Sequence, residues 1–525
     1  MEKSQFKYEN LLSWIFVIGS LFIGYIVYSN LDKGFIFNDE AFYLFLYRDH
    51  ESLPTVDSTN FYRIFKFIYT ENIYHFRIIT YALLNISTFI VYFFAAKYYK
   101  LKANAFLMGF LGITVNFVSW GISNIVLHQY ISNTVLINIS LASIFIYLIY
   151  KRLLPLIISG FCLGILLFNG IPHTVVIIPI TAFLLFNFWK KDKRTIFYII
   201  AGGLLGIAFY FTFIESFSKF ISQFEWIKYY KQFHTKQHPK RFYIVWVLKV
   251  AGFIFLPALL LIGYLHRFSK NKIQQTNYVL LMLGIIFAVS FLFYPFIYLN
   301  YVLLALLIYR YFLEKISLEK KTMLILLSLI PFGLSFGSGA YFEVRGTLYN
   351  VYYYLPLSII ILSVYNVRVY AAFVVLFAYQ YLVFPNSLKE KDWKDFIFTQ
   401  QTENVKINGY DLYLDKQRKK DLEDLRPYLQ NQSNVIYSSN HLIGYLYILD
   451  ANPPIYYYFP LKDYMHYIIK KLNKTPDDYI YIESNDYPFS PKEFVPLKFV
   501  NHPEHYKVIK TGRFTLYLPS QFQKK

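Results

Sequence analysis

Apolar runs of about 17 residues or more recur along the first three quarters of the chain, separated by short polar, mostly basic breaks. Each is long enough to cross a bilayer as a helix. The runs predict about 13 spans, near 11–28, 78–96, 103–119, 129–150, 153–168, 171–189, 195–214, 242–265, 278–298, 301–313, 322–338, 350–365 and 368–384. Lys3 and Lys7 precede the first run as they would a secretory signal, but no small-x-small cleavage pattern follows, so an uncleaved first span is expected. After Phe384 the pattern changes. The tail is polar and charged, and "YDLYLD", "NVIYSS", "DYIYIES" and "RFTLYLP" alternate as strands do, while "KQRKKDLEDLRPYL" and "KDYMHYIIKKLN" have helical spacing.

The predicted fold is therefore an α-helical polytopic membrane protein of about 13 transmembrane helices over residues 1–384, with a small C-terminal α/β extracytoplasmic domain over 385–525. Composition agrees, because 56% of the 525 residues are hydrophobic and only 16% charged, with a mean hydropathy of +0.36. The single cysteine, Cys162, lies inside an apolar run and excludes an intrachain disulfide or a dithiol redox pair.

Charge placement sets the orientation. With the N-terminus cytoplasmic, the breaks holding Lys97, Lys100, Lys102, Lys151, Arg152, "KKDKR", Arg267, Lys270, Lys272, Arg310, Lys315, Lys320 and Lys321 all fall inside, while the turns near 120–128, 169–170 and 299–300 hold no Lys or Arg. The net charge of +20 thus reads as attraction to anionic membrane lipid, and no basic-aromatic nucleic-acid module is present. An odd number of spans puts the C-terminal domain outside, in the plasma membrane of a cell whose outer face is extracytoplasmic. Loops 29–77, 215–241 and 339–349 then share its side.

The first of these loops begins "KGFIFNDEAFYLFLYRDH", with Asp39 and Glu40 side by side among aromatic residues. Asn38 is a good N-cap, and acids in a first helical turn are favoured by the helix dipole. The aromatic run that follows predicts an amphipathic helix lying in the membrane interface. Loop 215–241 carries Lys219, Lys228, Lys231, Lys236, Lys240 and Arg241 among Phe and Tyr residues, against the positive-inside bias. Such a segment suits an anionic lipid head group. Arg77, and Arg345 beside Glu343, are further candidates for bidentate contact with a phosphate, against simple interface anchoring or an Arg345–Glu343 ion pair. His128 and His173 flank outer turns and, with Glu343, are expected to line a substrate cavity, since the histidines lack metal-ligand spacing. A divalent cation held by Asp39 and Glu40 is a further expectation, because carboxylates suit Mg, Mn or Ca.

An acidic pair just past the first span, followed by an aromatic helix, "FNDEAFY", resembles the first-loop motif of the GT-C glycosyltransferase superfamily, including its bacterial protein O-mannosyltransferase and aminoarabinose-transferase branches. The resemblance implies a polytopic enzyme that moves a sugar from a polyprenyl-phosphate donor to a glycan, lipid or protein acceptor. It also implies that Asp39, with Glu40 beside it, acts as the general base or positions the acceptor. The His-Pro-Pro motif common later in this loop is absent; "TENIYHFR" stands there, leaving branch and acceptor class open. The chemistry fits independently: a base must take the acceptor proton, and an anionic phosphate leaving group needs cations rather than an acid. Rival readings are a lipid-linked sugar flippase, an O-antigen-type polymerase or ligase, and a non-catalytic scaffold. Spans almost free of mid-membrane charge, Lys249 being the main exception, favour the enzyme.

Overall fold

The structure, a computed structural model, describes residues 14, 17–49, 59–101, 105–119, 126–224, 228, 241–268, 297–336, 346–364, 401–454, 479–484, 503–520 and 522. The expected spans 278–298 and 368–384 lie largely or wholly outside the described residues, as does the helix expected in "KDYMHYIIKKLN". Four described helical stretches, Ile73–Tyr99, Gln129–Tyr150, Lys193–Ile214 and Val247–Arg267, are long and apolar enough to cross a membrane, and six shorter apolar helices accompany them.

In chain order, α1 (Val17–Tyr28) leads into α2 (Asp39–Asp49) and the short α3 (Phe61–Ile64). Helices α4 (Ile73–Tyr99), α5 (Ala105–Ser119), α6 (Gln129–Tyr150), α7 (Leu154–Asn169), α8 (Ile177–Phe188) and α9 (Lys193–Phe209) follow. Beyond them come helices Arg241–Val250, Leu256–Phe268, Ile297–Phe312, Leu318–Ser335 and Asn350–Val364. The last packs on helix Leu318–Ser335 and on α5. Outward-facing Phe197, Leu204, Phe213, Leu248 and Leu260 are more than half exposed, a surface suited to acyl chains.

Helices α7 and α9 make the tightest contact in the bundle, through two glycine-xxx-glycine patterns, Gly160/Gly164 and Gly202/Gly206. A Cβ on Gly160 would lie 2.0 Å from Ile199 O, and one on Gly164 2.3 Å from Gly203 O, so the backbones touch where any side chain would separate them. Elsewhere short polar side chains join helices: Asn138 Nδ2 donates to Ser87 Oγ and Thr88 Oγ1, and Ser140 bonds Ser159.

The polar breaks sort to two ends, as their alternation requires. At one end Tyr98 OH donates to Glu319 (2.7 Å), Tyr99 OH to Lys320 O, and Tyr147 OH meets Asp192 and Thr195. Here Lys100 and Lys151 close α4 and α6 in the left-handed conformation, with their cations near helix C-termini. At the other end the first loop meets the starts and ends of α6, α7 and α9.

The four quoted strand patterns all form strands. Residues 401–454, 479–484 and 503–520 hold a hairpin, β1 (Glu403–Ile407) with β2 (Tyr410–Leu414), and a four-stranded mixed sheet ordered β3-β4-β6-β5. In that sheet β3 (Val435–Tyr437) runs parallel to β4 (Ile480–Ser484), while β6 (Phe514–Pro519) is antiparallel to both β4 and β5 (Tyr506–Thr511). Helices Lys416–Leu429 and Leu442–Ile448 pack with them. The β1–β2 connection is Asn408-Gly409, both at positive φ (51° and 85°), a two-residue turn whose twist matches the strands.

Candidate functional site

The site is built where the first loop, α6 and α7 and the C-terminal domain converge. Helix α2 begins at Asp39, as the sequence predicts, and over residues 40–47 it presents no exposed face. Residues 40–47 are all buried, because apolar side chains surround the helix on every side and require protein rather than a lipid surface on each. Phe45 packs edge-on against Tyr447 (5.1 Å between ring centres) and Tyr43 against Phe61 (5.5 Å), while Tyr47 stacks on Tyr69. Burial pushes the Tyr47, Tyr69 and Tyr447 phenols up, so none can serve as a base near neutral pH.

Glu40 and Arg77 form one unit. Arg77 Nε donates to Glu40 Oε1 and Nη2 to Oε2, each at 2.7 Å, a bidentate pair 0% exposed at the arginine and 1% at the glutamate side chain. Two more guanidinium hydrogens reach Leu31 O (2.5 Å) and Gly34 O (2.9 Å), and Ile36 N–H donates to Glu40 Oε2 (3.0 Å). The pair therefore stitches residues 31–36 to the starts of α2 and α4. In the structure Arg77 and Glu40 thus engage one another inside the protein, rather than standing open towards a phosphate or an acceptor. A divalent ion beside Glu40 would sit against the Arg77 guanidinium. Among the described residues no group of three or more His, Cys, Asp or Glu side chains is placed to hold a metal.

Asp39, one residue earlier, is half-buried on the first turn. Its turn is gripped by the C-terminal domain. Phe37 lies under the Arg418 guanidinium (4.3 Å) and against Tyr445 (4.6 Å), with no room for a side chain at Gly444, where a Cβ would be 2.4 Å from Phe37. Backbone bonds extend the contact: Tyr413 N–H donates to Asp32 O (2.9 Å) and Gly34 N–H to Tyr413 O (2.7 Å), so residues 32–34 pair with the edge of β2. At the other end of α2, Arg48 binds Asp450 (2.9 Å) and Asn452 (2.5 Å). Arg418 and Arg513 are in turn held by Tyr445 and the buried Asp421. The C-terminal domain is thus a wall of this site.

His128 makes a further contact with α2. It is the N-cap of α6, its Nδ1 accepting from Tyr130 N–H (3.2 Å) and Ile131 N–H (3.5 Å), and its ring lies 4.9 Å from that of Tyr43 on α2. Beside it Gln129 accepts from Thr59, and Asn169 Nδ2 donates to Ser132 and Asn133. Lys228 is exposed, Arg241 opens helix Arg241–Val250, and His173 lies in the turn Ile171–Val176. Lys231, Glu343 and Arg345 lie outside the described residues.

The sequence reading missed a second charged cluster, Arg63 with Glu215. Arg63 pairs with Glu215, which also accepts from Tyr210 OH (2.7 Å) and Gln223; the two side chains are 7% and 1% exposed. The signal available was an arginine inside the aromatic run "NFYRIFKF". No protein-family model matches the chain and no curated protein is similar to it, so the geometry alone carries the functional argument.

Proposed function

We propose that this chain is an integral-membrane glycosyltransferase of the GT-C type, moving a sugar from a polyprenyl-phosphate carrier to an acceptor hydroxyl at the outer membrane face. In this reading about 13 spans place the N-terminus in the cytoplasm and the C-terminal domain outside. Asp39 is the base. The observation that carries the reading is that the buried Glu40–Arg77 pair fixes the turn on which Asp39 stands half-buried.

A carboxylate so held can accept the acceptor proton as the anomeric carbon is attacked, at low cost in reorganisation. The leaving phosphate departs as an anion and needs cationic partners, for which the basic residues of the sequence 215–241 are the candidates. His128 packs on Tyr43 of α2, the helix that begins at this carboxylate.

The test is transfer by purified protein in lipid nanodiscs supplied with polyprenyl-phosphate sugars and acceptor hydroxyls. Asp39→Asn is expected to lower the rate by about 100-fold or more while the protein stays folded. Translocation of lipid-linked sugar into liposomes with no transfer by wild type would instead identify a flippase.

A further inference from the structure

Phe37 is where the C-terminal domain meets the turn that leads into Asp39. The carbonyls on either side of it begin α2: Ile36 O accepts from Ala41 N–H (3.2 Å) and Asn38 O from Phe42 N–H (3.0 Å). Fixing the Phe37 ring therefore fixes the first turn of the helix, and Asp39 with it. The ring is only 4% exposed, and what covers it belongs to the other domain. The Arg418 guanidinium lies over it, while Tyr445 and Gly444 of helix Leu442–Ile448 press against it.

Arg418 is itself aimed by a relay inside that domain. Its Nη1 donates to Tyr445 OH (2.8 Å), and that hydroxyl donates to Asp421 Oδ2 (2.5 Å). Arg513 donates to the same hydroxyl (3.0 Å) and to both oxygens of Asp421. Gln417 Nε2 donates to Asp421 Oδ1 (2.9 Å). The phenol thus gives its one hydrogen to a buried carboxylate and its two lone pairs to two guanidinia, which uses its whole bonding capacity. Helix Lys416–Leu429, helix Leu442–Ile448 and the β5–β6 turn are joined in this way behind the one guanidinium that covers Phe37.

Resting on the transferase reading above, we infer that Arg418 is a positioning residue. Its guanidinium, aimed by Tyr445 and Asp421, holds Phe37 and so sets the reach of the Asp39 carboxylate towards the acceptor hydroxyl. The C-terminal domain then acts on the chemical step rather than on donor capture. Arg48 supplies the contrast. It too bridges α2 to that domain, through Asp450 and Asn452, but about 14 Å further along the helix. Weaker docking follows from losing either arginine, whereas displacement of the base follows only from losing Arg418.

The experiment compares Arg418→Gln with Arg48→Gln in the full chain in nanodiscs. Arg418→Gln is expected to lower kcat about tenfold or more with KM little changed, since misplacing a reacting group by about 1 Å costs up to about 100-fold. Arg48→Gln should leave kcat near wild type. Position is read separately from activity, by the rate at which Asp39→Cys reacts with a small maleimide; the native Cys162 is buried. Adding Arg418→Gln should change that rate severalfold, and adding Arg48→Gln should not. Equal losses of kcat in the two arginine variants would overturn the inference, as would an unchanged kcat in Arg418→Gln or a loss carried by KM. If wild type transfers no sugar, the transferase reading falls, and the thiol rates alone decide whether Arg418 sets the position of residue 39. Tyr445→Phe, which removes the hydroxyl and keeps the ring, repeats the comparison if Arg418→Gln fails to fold, with a smaller fall in kcat expected and none overturning the inference.

Discussion

Removing Arg77 alone should be far more damaging than removing it together with Glu40. In Arg77→Met the carboxylate of Glu40 stays buried at 1% exposure with only Ile36 N–H to satisfy it, and the carbonyls of Leu31 and Gly34 lose their donors. Stranding a buried charge costs about 3–5 kcal/mol, and orphaned buried carbonyls add about 1 kcal/mol or more each. These terms do not simply add, so the expected loss is about 4 kcal/mol or more, roughly 1,000-fold in the folding equilibrium. Glu40→Leu strands the guanidinium and should cost a similar amount. In Glu40→Leu with Arg77→Met no charge remains; the unmet groups are then Leu31 O, Gly34 O and Ile36 N–H, and the loss should fall to about 2 kcal/mol. The assay is reversible unfolding of the full chain in mixed micelles by SDS, followed by tyrosine and tryptophan fluorescence. Two results would refute the reasoning: single variants within about 1 kcal/mol of wild type, or a double variant costing the sum of the singles.

Three further outcomes follow from the same coordinates. Gly164→Leu should push α7 from α9, since even a Cβ there meets Gly203 O at 2.3 Å; a drop of about 3 kcal/mol or more in the same SDS titration checks it, and wild-type stability would refute the backbone contact. Gly444→Ala drives a methyl group into Phe37, so the C-terminal domain should loosen from the first loop and expose the chain near residues 31–36 to added protease, while an unchanged digestion pattern would argue against the docked arrangement. His441 is held down to about 4 by burial and by the nearby Arg418, from an ordinary value of 6.5. The unfolded chain therefore binds this proton first, so the native state loses stability as pH falls from 6.5 towards 4, and His441→Asn should flatten that part of the thermal-melting profile relative to wild type.

Much of the architecture was legible in the residues. The apolar runs at 78–96, 129–150 and 195–214 became helices Ile73–Tyr99, Gln129–Tyr150 and Lys193–Ile214, because length and hydropathy are local properties that a bilayer reads directly. The strands in "NVIYSS" and "RFTLYLP" followed for the same reason, through their period of two.

What tertiary structure alone decided is which charges face one another. Asp39 and Glu40 look interchangeable in the chain, and Arg77 looks like a phosphate ligand. The distinction arises 37 residues apart, when Arg77 reaches back to Glu40 and buries both. The same holds for Arg63 with Glu215, and Arg48 likewise meets Asp450 only once the chain has folded, although Asp450 stays exposed. An ionised group tolerates burial only beside its counter-charge, so its role is a property of the pair, and pairs across such distances exist only once the fold has closed.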